Sequence, residues 1–392
     1  MVHHTMNSSS ASAAKASSTI NSIRCLQALA ILGVLAGCAS RLPPIEAPAP
    51  LPAVSKPAET TGRQLLRDNA RWIEADWREL PGWGEDRAAE LWPVLLRSCA
   101  RPAQGWSRLC AQAALQAPAD DTEALLWLMQ RLRPYRVESL NGEAAGLATG
   151  YFEPQLEGRR QAQGAFQTPV LQPPPDLATR RPYLTRQQIA EQASRFKVIA
   201  YVSDPIELLV MQIQGSGRLR VTEADGRTRA VRLAFGGHND QPYQSVGKLL
   251  LERGEVRDGS WSAIREWARQ NPARLNELLA ANPRYVFFRE EPLTDPDLGP
   301  RGAQGAPLTP GRSVAVDKTA VPYGTPMWIA SSWPRSDTPL RRLVMAQDTG
   351  SAITGAVRLD YFWGWGPEAE EQAGKMKQPL QAWVLWPADL TR

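Results

Sequence analysis

The sequence predicts a mainly β protein with helices near its N-terminus, an α+β fold. Three observations carry this. From about Gln64 to Val137 apolar residues recur at three- and four-residue spacing, as on a helix. After Gly150 short apolar runs alternate with Pro and Gly, as between strands. In the C-terminal part the runs are again short and β-rich, and two of them run into an aspartate.

The helical stretch begins with Leu65, Leu66, Ala70, Ile73 and Trp77, followed by segments over Ala88–Cys99, Ser107–Leu115 and Thr122–Leu132, the last with Asp121 as its N-cap. In the middle, Asp204-Pro205 opens a short helix with a cap and a proline at its first position. Leu219-Arg220-Val221 and Val231-Arg232-Leu233 alternate around Asp225-Gly226, a hairpin signal. Trp261–Leu279 reads as one helix. Ser313–Val316, Pro326–Ala330, Arg342–Met345 and Ala382–Trp386 read as strands. The chain has 392 residues, 43% of them hydrophobic and 22% charged, with 14 Trp. That is enough for one large domain or two ordinary ones, and it excludes a disordered chain.

The N-terminus reads as a processing segment. Lys15 and Arg24 precede an apolar run from Cys25 to Leu35, which ends in Leu35-Ala36-Gly37-Cys38. The run is short of the roughly 20 residues that span a bilayer. Small residues before a cysteine look like a bacterial lipoprotein signal, so residues 1–37 are the expected signal peptide and Cys38 the expected acylated N-terminus. Met6 competes with Met1 as the start. Ala39 is not the aspartate that commonly retains lipoproteins at the inner membrane, so an outer-membrane anchor facing the periplasm is expected. Residues 38–60, rich in Pro and Ala, form the expected tether. Loss of Lys15 and Arg24 takes the formal charge from +5 to about +3, with no basic stripe that would imply nucleic acid.

That leaves Cys99 and Cys110, in a compartment that permits disulfides, and they are expected to pair across two helices. His238 is the only histidine beyond the signal, in a Gly236-Gly237-His238-Asn239-Asp240 loop. No metal site or cofactor is expected, and neither is a serine triad, since no G-x-S-x-G elbow is present.

Three aspartates stand out. Asp317 follows Val314-Ala315-Val316, Asp348 opens Asp348-Thr349-Gly350, and Asp360 precedes Tyr361, Phe362, Trp363 and Trp365. Aromatic surroundings raise a carboxyl pKa by desolvation and hold the proton of a general acid, and such rings can stack on sugars.

These stretches resemble a known family. Residues from Arg312 to Trp386 look like a three-aspartate ("3D") domain. Thr149-Gly150-Tyr151-Phe152-Glu153-Pro154, Gln212-Ile213-Gln214-Gly215-Ser216-Gly217-Arg218-Leu219 and Asn282-Pro283-Arg284-Tyr285-Val286-Phe287-Phe288 look like the membrane-bound lytic murein transglycosylase A family. Pro322-Tyr323-Gly324-Thr325-Pro326 and Trp363-Gly364-Trp365-Gly366 continue the match, in order, over roughly residues 65–386. Ser351 departs from the second glycine expected after Asp-Thr-Gly.

The resemblance implies a double-psi β-barrel large domain with a second, smaller β-barrel domain inserted. The expected parts are 61–153 (N-terminal helical part of the large domain), 154–292 (smaller inserted domain) and 293–392 (C-terminal barrel part). It implies a peptidoglycan lytic exotransglycosylase, a carbohydrate lyase. Such an enzyme cleaves the β-1,4 bond between N-acetylmuramic acid and N-acetylglucosamine and leaves 1,6-anhydromuramic acid. Asp360 matches the family's catalytic acid, which would serve first as acid and then as base. Asp317 and Asp348 would support it. Thr149, Tyr151, Gln214, Gly215, Ser216 and Trp363 would meet the glycan, and Glu153 is a rival acid with a structural alternative at the domain junction. Expected partners are glycan strands, outer-membrane lipid through Cys38, and cell-wall synthesis or division proteins, with the protein a monomer. The competing readings are a hydrolytic muramidase pairing Asp360 with Asp348 or Glu153, a non-catalytic wall-binding protein, and an outer-membrane scaffold.

Overall fold

The computed structural model describes residues 62–391. The signal segment, Cys38 and the tether lie outside the described residues.

The first elements are a hairpin, not the expected helix: β1 (Gln64–Arg67) and β2 (Ala70–Glu74) pair antiparallel around Asp68-Asn69. Two polar residues between apolar runs favour a tight turn, and Ala70 and Trp72, two apart on β2, are both fully buried. The helices α1 (Trp92–Cys99), α2 (Ser107–Leu115) and α3 (Asp121–Arg131) follow. The N-cap of α3 is Asp120, which accepts from the Glu123 N–H at 2.9 Å, and Asp121 instead accepts from the Ala89 N–H at 2.8 Å. The helical pattern stops at Arg131. Pro134 biases Arg133 to extended backbone, and β3 (Leu132–Glu138) begins. Cys99 and Cys110 form a disulfide that ties α1 to α2.

Next come β4 (Gly146–Glu153), β5 (Gln155–Arg159), β6 (Thr168–Leu171), α4 (Arg186–Glu191), β7 (Val198–Val202) and α5 (Pro205–Gln214). The hairpin of β8 (Gly217–Thr222) and β9 (Thr228–His238) turns through Asp225-Gly226. His238 therefore ends a strand. After α6 (Val246–Glu252), the single helix expected over Trp261–Leu279 is split into α7 (Trp261–Gln270) and α8 (Leu275–Ala280). Pro272 lacks the N–H that a continuous helix needs there. The rest is β10 (Val286–Pro292), β11 (Ser313–Val316), β12 (Pro326–Ser332), β13 (Pro339–Asp348), β14 (Arg358–Trp365), α9 (Gly366–Lys375) and β15 (Lys377–Pro387).

The fold is mostly β with some helices, in two sheets. The larger runs β1-β2-β3-β15-β12-β13-β11-β14-β4, and β4 also pairs with β15, which closes six strands into a ring. The smaller runs β10-β9-β8-β5-β7-β6, and all its strands fall between β4 and β11 in sequence. The ring encloses the main core. Val314, Val316, Trp328, Leu343, Leu359, Tyr361 and Val384 pack there in one cluster with Leu91, Trp92, Trp106 and Leu128. Because side chains alternate along a strand, Leu359 and Tyr361 belong to this core while Asp360 and Phe362 take the other face of β14. On that face Phe362, Tyr151, Ala315, Leu308 and Ile353 form a separate small cluster. This is the floor of the site.

Candidate active site

Strand register brings the chemistry together. Asp360 on β14 pairs with Thr149 on the parallel β4 and with Ala315 on the antiparallel β11. Ala315 pairs in turn with Asp348 on β13, and Thr149 with Lys377 on β15. Residues opposite one another share a face, so Asp348, Ala315, Asp360, Thr149 and Lys377 form one row across five strands. The two aspartates stand two strands apart, about 10 Å between backbones. Ala315, between them, is buried in a cluster with Tyr151, Leu308, Ile353 and Phe362.

Asp360 is partly buried, and its Oδ1 accepts a hydrogen bond from Thr149 Oγ1 at 2.6 Å. Burial pushes its pKa up to about 6. The Thr149 hydrogen bond and the Arg358 charge pull it down, and Asp348 pushes it up again. Asp348 is also raised to about 6, again by burial, against hydrogen bonds from Thr349, the Ala303 N–H and Tyr151. Both of its oxygens are engaged: Ala303 N–H donates to Oδ1 at 2.9 Å and Tyr151 OH to Oδ2 at 3.1 Å. Burial, with Asp348 and Asp360 nearby, raises Tyr151 well above its usual range, so its hydroxyl stays protonated and donates. A carboxyl whose pKa is raised towards neutrality, with one oxygen uncommitted, can give a proton to a leaving group and take one back. Asp360 has this form and Asp348 does not.

Asp317 lies at the end of β11 in a turn. Its Oδ1 accepts from Thr319 N–H at 2.9 Å and Thr319 Oγ1 at 2.5 Å, and its Oδ2 accepts from Asn69 Nδ2 and Gly355 N–H, both at 2.9 Å. Burial raises its pKa, but these donors outweigh it and the net shift is downward. It is a charged brace between three segments.

Glu153 is fully buried. Arg218 Nε reaches one oxygen at 2.7 Å and Arg232 Nε the other at 2.8 Å. The same arginines donate to the carbonyls of Pro296 and Leu298, and the Arg218 guanidinium stacks 3.7 Å above the Trp365 ring. Glu153 closes β4 just before the chain enters the smaller sheet, and residues 296–298 lie just after it leaves. The carboxylate therefore pins both crossings, with no oxygen left for an acid's work.

The Gln214-Gly215-Ser216 turn caps α5. Gly215 takes a left-handed φ of 87°, which an L side chain rarely adopts. Gln214 Oε1 accepts from the Phe152 N–H at 3.1 Å, which sets this turn one residue from Tyr151. Ser216 is buried.

The aromatic neighbourhood divides by strand face. Tyr361 lies in the main core, and Trp363 packs on Tyr361 and Trp333 with ring centroids 5.0 and 5.2 Å away. Trp363 thus sits on the opposite face from Asp360. Phe362 lies on the Asp360 side but is fully buried. It contributes desolvation, not a surface for stacking a sugar. Arg358, which no motif singles out, joins the site: its Nη2 donates to Thr149 Oγ1 at 2.9 Å. The available signal was strand period: once residue 360 is on a strand, residue 358 shares its face. Asn69 reaches Asp317 only from the turn of the β1–β2 hairpin, where the apolar spacing alone predicts a helix.

Among the described residues no group of three or more His, Cys, Asp or Glu side chains could hold a metal ion. Among the same residues no helix is long and apolar enough to cross a membrane.

Comparison with known proteins places these features in context. Residues 147–289 match the family model described as the MltA specific insert domain, and residues 312–386 match the 3D domain. The membrane-bound lytic murein transglycosylase A of Escherichia coli K12 is 34% identical over 248 residues, which span 60% of this chain and 64% of the relative. The crystal structure of MltA from Neisseria gonorrhoeae is 33% identical, covers 83% of this chain and 95% of its own, and superposes with a TM-score of 0.72. The E. coli MltA crystal structure with bound chitohexaose is 27% identical, covers 76% of this chain and 90% of its own, and gives a TM-score of 0.61.

Proposed function

The chain belongs to the membrane-bound lytic murein transglycosylase A family, and from that premise we propose that it cleaves peptidoglycan glycan strands by intramolecular transglycosylation with Asp360 as its one catalytic acid and base. The observation that carries this reading is the hydrogen-bonded pair of Thr149 and Asp360 at 2.6 Å, with the Asp360 pKa pushed up to about 6.

In the proposed reaction Asp360 gives its proton to the glycosidic oxygen between N-acetylmuramic acid and N-acetylglucosamine, and the bond from C1 to that oxygen breaks. The muramyl 6-hydroxyl then bonds to C1, and its proton passes to the Asp360 carboxylate. No water is consumed, the acid is regenerated, and the product ends in 1,6-anhydromuramic acid. The nucleophile comes from the substrate, so one carboxyl suffices where an ordinary glycosidase needs two. A hydrolytic muramidase would need Asp348 or Glu153 to activate water. The hydrogen bonds on both oxygens of each argue against that.

Tyr151, Gln214, Gly215 and Ser216 would border the glycan beside Thr149, and Trp363 would act from behind β14 through packing. The closed six-strand ring fits a double-psi barrel with residues 154–292 as its inserted domain, residues 61–153 as its helical part and residues 293–392 as its C-terminal part. Acylated Cys38 and the tether over residues 38–60 would hold a monomer on the outer membrane, facing the periplasm, within reach of cell-wall synthesis or division proteins.

The test is mass spectrometry of sacculi digested by the purified protein. Fragments ending in 1,6-anhydromuramic acid support the reading. Reducing ends one water heavier point to hydrolysis, and binding without products points to a wall-binding module.

A further inference from the structure

We infer that Arg358 is a positioning residue for the catalytic carboxyl: its guanidinium fixes the Thr149 hydroxyl so that the hydroxyl proton points at Asp360 Oδ1, leaving Oδ2 to exchange the proton with substrate. The assignment of a catalytic role to Asp360 is the reading proposed above. The geometry of the relay is independent of it.

An arginine donates hydrogen bonds and accepts none. Arg358 Nη2 donates to Thr149 Oγ1 at 2.9 Å, so that oxygen is the acceptor. The single proton of the hydroxyl is then directed to Asp360 Oδ1, 2.6 Å away. The relay is built into the sheet: Arg358 pairs with Leu147 and Asp360 with Thr149 in one run of parallel pairing, so all three side chains share a face. The other terminal nitrogen is braced on the backbone, with Nη1 donating to the Leu359 carbonyl and, at 3.4 Å, to the Leu147 carbonyl. Arg358 forms no salt bridge among the described residues, so no other carboxylate takes up its charge.

The charged groups that act on Asp360 are Arg358 on its own strand and Asp348 on β13; Tyr151 on β4 responds to both aspartates, and Lys377 on β15 lies opposite Thr149 in register. Of these only Arg358 reaches the carboxyl through a hydrogen-bonded hydroxyl. Its work is to oppose burial. A group that is acid in one half of the reaction and base in the next must reach both states, and burial alone would hold it protonated. Arg358 favours the carboxylate both by charge and through the hydroxyl it orients.

The experiment uses the full-length protein and its Arg358→Met, Arg358→Lys and Thr149→Val variants. Two readouts are taken: carboxyl carbon-13 NMR titration of Asp360, assigned with Asp360→Asn, and the pH profile of kcat/KM for anhydro-product release. In Arg358→Met the Asp360 midpoint is expected to rise by about one pH unit, and the alkaline limb of kcat/KM to move with it. Arg358→Lys keeps the charge, so its midpoint stays close to wild type while the rate falls. Should Arg358→Met not fold, Arg358→Gln, which also removes the charge, carries the same test, and Thr149→Val checks the hydroxyl link separately. An Asp360 midpoint unmoved in the folded Arg358 variant that lacks the charge overturns the role of Arg358, whatever Thr149→Val does, and an unmoved midpoint in Thr149→Val overturns the hydroxyl link. Absence of anhydro products from the wild-type protein overturns the transglycosylase reading, and the NMR titration still decides the relay.

Discussion

Thr149 and Asp360 are direct partners on neighbouring parallel strands, and a 2.6 Å hydrogen bond joins their side chains across 211 residues of sequence. Every strand of the smaller sheet lies between them. The pair is therefore completed only when β4, which precedes the smaller sheet, joins β14, which follows it. Burial then raises the carboxyl while Thr149 and Arg358 restrain it, and the balance of about 6 suits the acid and base role proposed for it.

Asp360→Asn removes that proton with almost no change in shape. Release of anhydromuramic ends from sacculi is expected to fall by at least about 10²–10⁴-fold, the usual weight of a general acid–base group. Circular dichroism and sacculus pelleting should show fold and binding retained. Wild-type turnover in this variant would remove Asp360 from its role.

The reaction should also report its acid directly. The proposed reaction needs Asp360 protonated in the free enzyme, and that form is lost as pH rises through about 6. If Asp360 acts as proposed, kcat/KM is expected to be level below this midpoint and to fall about tenfold per pH unit well above it. An alkaline limb that survives unchanged in a variant with residual activity but no carboxyl at 360 would assign it to another group.

What was legible in the sequence followed local rules. The strand at Ser313–Val316 and the hairpin around Asp225-Gly226 are both encoded by neighbours in the chain, and both appear. What was missed depends on tertiary pairing. The hairpin at Gln64–Glu74 carries apolar residues at spacings that also fit a helix, and only docking of β2 on β3 decides between them. The aromatic cluster after Asp360 looked continuous in sequence. The strand puts Tyr361 and Trp363 on one face and Phe362 on the other, a split that proximity along the chain hides. Arg358 was invisible for the same reason, since its importance comes from Thr149 on a distant strand.

The buried triad of Glu153, Arg218 and Arg232 predicts a stability effect that separates it from catalysis. Glu153→Gln leaves two guanidiniums at the junction without their counter-charge. Loss of about 3–5 kcal/mol is expected, visible in thermal or denaturant unfolding, because an uncompensated buried charge is costly. Product from the folded fraction should still carry anhydro ends. Loss of activity without loss of stability would return Glu153 to the list of acids.

The disulfide gives a contrasting result. Cys99 and Cys110 close a short loop with a sequence separation of 11, for which chain entropy predicts about 2–3 kcal/mol. Cys99→Ser, or reduction, should lower the melting temperature while leaving the kcat of the folded protein near wild type. An unchanged melting curve under reductant would count against the bond.

Asp348 provides the last test, and its sign is opposite to that of a salt-bridged carboxylate. Its pKa rises from 3.8 to about 6 on folding, chiefly through burial. Between about pH 4 and pH 6 the folded protein holds a proton that the unfolded chain has already lost. Stability contributed by this site is thus greatest in acid, falls as pH rises through that window, and is fully lost above it. Asp348→Asn stays neutral throughout, and its amide can accept from the Ala303 N–H while donating to the Tyr151 oxygen. The variant should match or trail wild type near pH 4 and exceed it near pH 7.5. The residue is only partly buried and its hydrogen bonds offset part of the shift, so the expected gain is about 1 kcal/mol, or roughly 2–4 °C in melting temperature. Equal differences at both pH values would mean that Asp348 is not held protonated by its surroundings.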